Sequence, residues 1–337
     1  MKKNLLMVCS ALLLLYLLPL VLPRESAARA EEAAPSPPTL RPLSVSPSVP
    51  PREEAAEAPQ ASSIRLLAGD EVLELSLEDY LVGVVAAEMP ASFPEEALKA
   101  QAVAARSYAL CQIGTGKHGE AELCSDPGCC QAWRSEDELR ESWGEDFGER
   151  MARIRAAVEA TAGETLLYAG EPVLAVFHSS SPGSTEESAQ IWNALPYLVS
   201  VSSPETALDV PGFVSQLRCA PLDFRDVILS ACPEADFSGP EEGWIGPAER
   251  DASGRVVSQE LGGVAIPGKE LRALFSLRST AFSLSYEDGV FLFTVTGFGH
   301  GAGMSQYGAN VMAREGKTWQ EILAHYYPGT ELDVFKG

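Results

Sequence analysis

Residues 76–110 read SLEDYLVGVVAAEMPASFPEEALKAQAVAARSYAL, and this stretch predicts two consecutive helices. Ser76 is a good N-cap, and Asp79 follows three residues later, as in a capping box. The apolar residues of the first helix recur at helical spacing and are expected to be buried: Tyr80, Leu81, Val84 and Val85. Glu88 continues this apolar stripe, and Pro90 ends the helix just beyond it.

A carboxylate at the end of an apolar stripe commonly adopts one of two arrangements. It swings out to solvent, as most Glu side chains do, or it stays partly buried with a raised pKa or a charged partner. The second arrangement is the usual setting of a general acid. Glu88 is therefore the candidate catalytic residue.

The second helix supplies candidate partners for Glu88. It begins near Pro94, with two glutamates in its first turn, and its many alanines allow close packing against a neighbour. Lys99 and Arg106 are seven residues apart and share one face of this helix. They are either a pair of cations close to Glu88 or part of a solvated face.

Two further segments accompany this stretch. FHSSSPGSTEESAQIW occupies residues 177–192 and is followed by Pro-Tyr-Leu at 196–198, and GFGHGAGMSQYGANVMAREGKTWQEILAHYYPGTEL occupies residues 297–332. In this order, the three segments resemble the motifs of stage II sporulation protein D (SpoIID), of the SpoIID/LytB group, over roughly residues 64–334. The resemblance implies a bacterial lytic transglycosylase that cleaves the glycan strands of peptidoglycan, with Glu88 of the AAEMP motif as its catalytic residue.

The resemblance also implies that the second segment lines a substrate groove. Its candidate polar contacts are Ser179, Ser181, Thr185 and Glu186. Trp192 and Tyr197 either stack on sugar rings or belong to the core. A Ser–His hydrolase built on His178 is not favoured, since no G-x-S-x-G pattern occurs, and a zinc peptidase is not supported because H-E-x-x-H is absent.

His300 lies in a run in which every second residue from Gly297 to Gly303 is a glycine. Such a run lets the backbone approach a ligand closely or turn sharply. With Gln306 and Tyr307, His300 is expected to form a substrate-binding rim beside Glu88. The alternative is a tight turn with a histidine whose hydrogen bonds are satisfied.

One carboxylate is enough for the implied reaction, whereas an ordinary glycosidase needs two. In the reaction that the resemblance implies, Glu88 protonates the glycosidic oxygen between N-acetylmuramic acid and N-acetylglucosamine. The C6 hydroxyl of the same muramoyl residue then attacks its anomeric carbon, and the Glu88 carboxylate takes the hydroxyl proton. The product is a 1,6-anhydromuramoyl end.

A cluster of cysteines with one histidine predicts a structural zinc site. We expect no organic cofactor. Its candidate ligands follow the pattern H-x5-C-x4-C-C: His118, Cys124, Cys129 and Cys130. Four N and S donors suit tetrahedral zinc and leave no open position for water. The resemblance supports zinc, because some family members carry H-x5-C-x4-H-C-Q at this place. A disulfide between Cys124 and Cys130 or Cys111, or free thiols, is the alternative in an exported protein.

The N-terminus predicts export. Lys2 and Lys3 precede an apolar run at residues 5–23, and residues 28–30 offer an A-x-A-like cleavage site. We expect residues 1–24 to be a membrane anchor or a signal segment, with the anchor favoured, so that the protein would be a single-pass protein of the cell membrane facing the wall. Residues 25–62 are rich in Pro, Ala, Glu and Ser and predict a disordered linker.

Net charge restricts the partners. At −22, the chain lacks the basic surface that nucleic acid binding requires. The resemblance implies a role in septal wall thinning and engulfment during endospore formation, together with a SpoIIP-like amidase and a SpoIIM-like membrane protein. The alternative functions are a non-catalytic enhancer of a wall amidase, as described for LytB-like proteins, and a zinc-stapled wall-binding module.

The order of predicted elements indicates an α+β fold around a substrate cleft, spanning residues 63–335, with a possible insertion at about 203–260. Strands are expected at 164–168, 172–178, 198–202, 283–287 and 290–296, and a strand–turn–strand unit at 64–75. A charged helix is expected over 135–161. Two more are expected at 306–315 and 319–326, capped by Ser305 and Thr318.

Overall fold

The structure is a computed structural model that describes residues 63–335. The anchor predicted at residues 1–24 and the linker predicted at 25–62 lie outside the described residues. Mixed helices and small sheets make up the described part, which confirms the α+β class.

The helices follow local signals closely. Within residues 63–335 they are α1 (Leu77–Glu88), α2 (Glu95–Gln112), α3 (Glu136–Trp143), α4 (Phe147–Glu159), α5 (Ser188–Ile191), α6 (Pro221–Ala231), α7 (Gly268–Leu274), α8 (Gln306–Arg314) and α9 (Trp319–Tyr326). The Ser76 hydroxyl accepts the Asp79 backbone N–H at the start of α1, and Thr318 and Glu321 form a full capping box at α9. The charged helix predicted over 135–161 is two helices, because Gly144 adopts a positive φ of 53° between them.

The strands are short and form several small sheets. They are β1 (Ser63–Ala68), β2 (Glu71–Ser76), β3 (Leu123–Cys124), β4 (Glu164–Tyr168), β5 (Glu171–Pro172), β6 (Phe177–His178), β7 (Val214–Cys219), β8 (Ile245–Arg250), β9 (Val256–Leu261), β10 (Val264–Pro267), β11 (Phe282–Glu287), β12 (Val290–Thr296), β13 (Met304–Ser305) and β14 (Glu331–Val334). The sheet orders are β2-β1-β3, β14-β4-β5, β13-β6, β11-β12-β7 and β10-β9-β8.

Two strand predictions were wrong in part. The stretch 172–178 contains only the short β5 and β6, and 198–202 is irregular. The backbone of 198–202 still finds partners, because Thr185 and Val201 exchange hydrogen bonds across two irregular segments. The alternation of apolar and polar residues therefore did not produce a regular ladder at 198–202.

Helix α2 lies at the centre of the main core. It packs against α1, α4, β4, α8 and α9, and its alanines are buried. Small side chains allow this many neighbours to approach one helix closely. The stripe predicted on α1, from Tyr80 to Val85, is buried in the same core.

A second hydrophobic cluster is formed by residues of the sequence interval from β7 to β12. Phe224 of α6 stacks on Phe291 of β12 with ring centroids 4.0 Å apart, and Trp244 also stacks on Phe291, at 5.5 Å. This cluster, which we call the second lobe, takes in residues 214–296. The stretch 203–260 is therefore only part of a larger unit that also includes α7, β11 and β12.

We correct the prediction of a single-pass membrane location. Among the helices of residues 63–335, none is both long enough and apolar enough to cross a bilayer.

Candidate active site

Glu88 is the last residue of α1 and lines two adjoining cavities. The larger, which we call the Trp143 cavity, has a volume of about 760 Å³ and includes Arg150 and Tyr307 in its lining. The smaller, the Arg272 cavity, has a volume of about 400 Å³ and includes His300. Glu88, Ser179 and Gln306 line both, so the carboxyl group stands where the two halves of a groove meet.

The Glu88 carboxyl group is partly buried and holds two hydrogen bonds. Its Oε1 accepts the backbone N–H of Ala132 at 2.8 Å, and its Oε2 accepts the Gln306 side-chain amide at 3.3 Å. Burial raises the pKa of Glu88, while these two hydrogen bonds act in the opposite direction. A carboxyl group with a raised pKa that still faces a groove can donate a proton and take one back.

Close packing on α1 positions the Ala132 donor. A β-carbon built on Gly83 would lie 2.2 Å from Trp133 Nε1 and 2.8 Å from the Arg134 carbonyl oxygen, so only glycine fits there. The Tyr80 hydroxyl donates to Gln131 Oε1 at 3.1 Å, one turn from Gly83. The segment that follows the cysteine cluster is thereby held against the helix that carries Glu88.

The second and third sequence motifs meet through a parallel pairing of β6 with β13. Gly303, with a φ of 69°, allows this approach, since a β-carbon there would lie 1.9 Å from the Val176 carbonyl oxygen. Ser305 then caps α8, which starts with Gln306 and Tyr307. The Tyr307 ring meets Phe93 edge-on at 5.2 Å, and this fixes one wall of the Trp143 cavity.

Ser181 and Thr185 are buried, make internal hydrogen bonds and do not line either cavity. The Ser181 hydroxyl bonds His178 Nε2 at 2.6 Å, and its backbone N–H donates to the buried Glu205 carboxylate at 2.6 Å. Glu205 also accepts from Ser203 and Ser305. The motif serines thus join the two segments internally, and Ser179 is the serine of this group that reaches the groove.

Glu186 is also buried and faces the second lobe. Its Oε2 lies 3.7 Å from Arg255 Nε and accepts the Ser253 hydroxyl at 2.9 Å. Burial, followed by the hydrogen bond with Asp251, raises the pKa of Glu186 to about 7. The role of this residue is to join the second lobe to the main core.

Lys99 and Arg106 do not line either cavity that Glu88 lines. Arg106 is 1% exposed, pairs with Glu78 at 2.8 Å and donates to the Thr161 and Glu164 carbonyls. Lys99 pairs with two glutamates of its own first turn. Arg106 therefore holds α2 to its neighbours, Lys99 is paired within α2, and neither cation is brought to Glu88.

The two aromatic candidates, Tyr197 and Trp192, also differ in where they lie. Tyr197 is buried, and its hydroxyl accepts the Leu174 backbone N–H at 3.1 Å, so it belongs to the core. Trp192 is half exposed and meets the His300 ring edge-on at 5.1 Å. Burial, followed by the positive charge of Arg272, lowers the pKa of His300 to about 4. His300 is therefore neutral at physiological pH, and its Nδ1 accepts the Ala302 backbone N–H at 3.1 Å.

The predicted zinc ligands converge on one point. One donor atom from each of His118, Cys124, Cys129 and Cys130 lies within 4.8 Å of the other three. His118 Nε2 is 3.2 Å from Cys130 Sγ and 3.9 Å from Cys129 Sγ. Tetrahedral zinc–thiolate bonds of ~2.3 Å place ligand atoms about 3.8 Å apart, so the donor set fits such an ion. The cysteines between residues 63 and 335 form no disulfide with one another.

Comparison with known proteins matches this sequence to one family. A family model described as stage II sporulation protein, SpoIID, matches residues 68–168. Stage II sporulation protein D of Bacillus subtilis (strain 168) is 33% identical over 329 residues, which cover 96% of this chain and 93% of that protein. The chain belongs to the SpoIID family.

Other SpoIID-like relatives extend the comparison. Stage II sporulation protein D of Bacillus amyloliquefaciens is 33% identical over 280 residues, or 82% of this chain and 79% of the relative. A protein named amidase enhancer, from Bacillus subtilis (strain 168), is 28% identical over 303 residues. The match covers 76% of this chain but 40% of that longer protein.

Sequence reasoning missed several residues of this SpoIID-family groove. Arg150 and Trp143 line the Trp143 cavity, and Arg272 lines the second cavity. None of them lies in a recognised motif, and Arg272 comes from the second lobe. The weak signal available was a short helix with two cations, Lys269 and Arg272, in an otherwise acidic chain.

Proposed function

We propose that this protein is a lytic transglycosylase that cleaves peptidoglycan glycan strands between N-acetylmuramic acid and N-acetylglucosamine. The observation that carries the proposal is the position of Glu88, a partly buried carboxyl group with a raised pKa at the junction of two cavities. A groove that continues on both sides of Glu88 suits a polymer that is cut internally.

The proposed reaction uses Glu88 twice. Its protonated carboxyl group donates to the glycosidic oxygen, and the bond from this oxygen to the muramoyl anomeric carbon breaks. The muramoyl C6 hydroxyl forms a new bond to the anomeric carbon, and its proton passes to the Glu88 carboxylate. The Ala132 N–H and the Gln306 amide stabilise the carboxylate between the two transfers. No water is consumed.

Two other carboxylates line the Trp143 cavity and make the single-acid proposal testable. Asp146 and Glu149 are exposed, and Asp146 pairs with Arg150 at 2.6 Å. An ordinary glycosidase would need one of them as base or nucleophile. A transglycosylase needs neither.

The test compares Glu88→Gln with Asp146→Asn and Glu149→Gln in the full-length chain on purified glycan strands. Mass spectrometry distinguishes an anhydromuramoyl end from a hydrolysed end, which is one water heavier. We expect Glu88→Gln to lower the rate by about 10²- to 10⁴-fold or more, the contribution of a general acid, and the other two variants to stay within a few-fold of wild type. A hydrolysed product, or equal loss in Glu149→Gln, would refute the proposal.

A second candidate function is the enhancement of a wall amidase. It is favoured by the similarity to the protein named amidase enhancer. In this case the groove would bind glycan without cutting it, and the partner would be a SpoIIP-like amidase acting in spore formation. Intact glycan, together with stimulation of an added amidase that survives Glu88→Gln, would support this function.

The cysteine cluster is proposed to hold a structural zinc ion. When bound, zinc would cross-link the segment 118–130 through His118 and three thiolates. Gln131 and Ala132 follow directly, and they contact Tyr80 and Glu88. The site would therefore fix the backbone that donates to the catalytic carboxyl group.

A further inference from the structure

The Gln306 amide, which donates to Glu88 Oε2 at 3.3 Å, depends on where α8 begins. Gln306 is the first residue of this helix and directly follows the cap, Ser305. At 3.3 Å the hydrogen bond is at the long end of the usual range, so a shift of the helix by a few tenths of an ångström would break it. The contacts that hold the first turn of α8 therefore determine whether the Glu88 carboxyl group keeps this donor.

A buried carboxylate, that of Glu205, lies at the start of α8. Glu205 is 3% exposed. Its Oε1 accepts the Ser305 hydroxyl and, at 2.6 Å, the backbone N–H of Ser181, while its Oε2 accepts the Ser203 hydroxyl at 2.6 Å. The Ser305 hydroxyl in turn accepts the Gly308 backbone N–H at 3.2 Å. Because this hydroxyl donates its proton to Glu205, its lone pairs remain available to the N–H groups of the first turn of α8.

Close packing at Gly308 places α8 directly on this carboxylate. A β-carbon built on Gly308 would lie 2.8 Å from Glu205 Oε2 and 2.5 Å from Ser203 Oγ, and closer still to the Tyr326 hydroxyl. The Ser203 and Tyr326 hydroxyls are hydrogen-bonded to each other at 2.8 Å. Any larger residue at position 308 would push the first turn of α8 away from Glu205. The position of Gln306, two residues earlier, therefore follows from this contact.

Glu205 is compensated by neutral donors rather than by a cation. Across residues 63–335, no side-chain nitrogen of Lys, Arg or His lies within 4.0 Å of its carboxylate. Glu186, which is buried to a similar extent, has Arg255 at 3.7 Å. A buried carboxylate without a cation is unfavourable unless other groups stabilise it. The positive end of the α8 dipole does so here, and it ties Glu205 to this helix.

We propose that Glu205 is a positioning residue that, by fixing the start of α8, holds the Gln306 amide against the Glu88 carboxyl group. The inference rests on the proposed role of Glu88 as the catalytic acid. Position and charge predict opposite effects of substitution. If Glu205 acted through its charge alone, removing that charge would lower the pKa of Glu88. If it acts by position, its removal frees the Gln306 amide and raises the pKa of Glu88, because this hydrogen bond lowers it.

The experiment titrates Glu88 in the full-length chain without substrate. The glutamate carboxyl carbons are isotopically labelled, and the NMR signal that is missing in Glu88→Gln is followed with pH. Gln306→Leu sets the scale, since it removes the hydrogen bond outright. We expect Glu205→Ala to raise the pKa of Glu88 by at least half of the rise in Gln306→Leu. The double variant should show no more than the rise in Gln306→Leu, because both changes remove the same contact.

Two further variants test the proposal even if Glu205→Ala does not fold. Ser305→Ala removes the hydroxyl between Glu205 and α8, and it should also raise the pKa of Glu88. Glu205→Gln keeps an acceptor oxygen for the two donors at Oε1, and its amino group can donate to Ser203, whose hydroxyl can reverse its bond. This conservative variant should therefore leave the pKa of Glu88 close to that of wild type.

Thr318→Ala is the matched control. Thr318 caps α9 through its hydroxyl as Ser305 caps α8, so the two substitutions should lower Tm by similar amounts. Thr318→Ala should leave the pKa of Glu88 unchanged, because it does not alter the start of α8. Circular dichroism checks that each variant is folded.

Four results would overturn the proposal. The first is an unchanged pKa of Glu88 in Ser305→Ala, and the second is a lower pKa in Glu205→Ala, which would assign the effect to charge. The third is a rise in the double variant that equals the sum of the two single rises. The fourth is a rise in Glu205→Gln or in Thr318→Ala as large as that in Ser305→Ala. Because cleavage is not measured, a protein that titrates as expected but never cuts glycan would refute the proposed function and leave the role of Glu205 intact.

Discussion

Gly83→Ala should destabilise the protein even though alanine is the better helix former. Gly83 lies in the middle of α1, five residues before Glu88, where an added β-carbon would be 2.2 Å from Trp133 Nε1 and 2.6 Å from its Cδ1. Ordinary contact begins at 3.4 Å, so the indole must move by more than an ångström. The Arg134 carbonyl oxygen, at 2.8 Å, blocks the alternative of shifting the backbone alone.

The expected change in the free energy of unfolding is the difference between two opposing contributions. Overpacking costs about 1–3 kcal/mol, and at Gly83 the upper part of this range, about 2–3 kcal/mol, applies because the added β-carbon meets both a side chain and a backbone oxygen. The helix propensity of alanine returns about 1 kcal/mol relative to glycine. We expect a net loss of roughly 1–2 kcal/mol in the free energy of unfolding, or a decrease in Tm of about 2–8 °C. The matched control is Gly148→Ala on α4, where an added β-carbon meets nothing within 4 Å. It should stabilise the protein by about 0.5–1 kcal/mol.

The same substitution should also affect the Glu88 carboxyl group. Trp133 follows Ala132, whose N–H is 2.8 Å from Glu88 Oε1, and a displacement of about 1 Å would break that bond. The hydrogen bond lowers the pKa of Glu88, so its loss raises this pKa further. The alkaline limb of the pH–rate profile should then move to higher pH in Gly83→Ala and stay in place in Gly148→Ala. A Gly83→Ala protein with wild-type Tm in a thermal scan and an unchanged profile would refute the packing argument.

Three further outcomes are expected. Gln306→Leu removes the second hydrogen bond that lowers the pKa of Glu88, so the alkaline limb of the pH–rate profile should move to higher pH, and an unmoved limb would contradict the role of this amide. Glu186 has a raised folded-state pKa of about 7, so its contribution to stability is present below its ordinary value of 4.5 and is lost as the pH rises through about 7. Urea titrations at several pH values should show the free energy of unfolding of wild type falling relative to that of Glu186→Gln across this window, and parallel curves would contradict the raised pKa. Cys124→Ser should abolish stoichiometric zinc in elemental analysis and lower Tm, whereas Cys111→Ser should do neither, and full zinc content in Cys124→Ser would contradict the four-ligand site.

Local structure was largely predictable from the sequence. Ser76, Ser305 and Thr318 cap helices as predicted, because a hydroxyl followed by a free backbone N–H is a contact within one turn. The hairpin at 64–75 forms around Gly69 for the same reason, since its turn needs only neighbouring residues. Failures came where a segment depends on distant partners, as at residues 198–202.

The same distinction between local contacts and contacts with distant residues applies to the candidate site. Helical spacing placed Glu88 on a buried face, and four nearby N and S donors predicted a cluster that the fold brings together. Spacing could not show that Arg106 would find Glu78 and two carbonyls on other elements. The same cation could serve substrate or structure, and only its neighbours decide between these roles.

The sequence by itself thus determined which residues could carry chemistry: one acid on an apolar stripe, a donor set for a metal, and a glycine-rich turn around His300. Tertiary structure decided which of them face the groove. In the folded protein, Ser181, Thr185 and Arg106 make internal hydrogen bonds. Arg272 belongs to the second lobe and follows Glu88 by 184 positions in the sequence, yet it lines the same cavity. The physical reason is that a periodic pattern fixes the face of a helix, whereas burial and charge compensation depend on contacts between residues far apart in sequence.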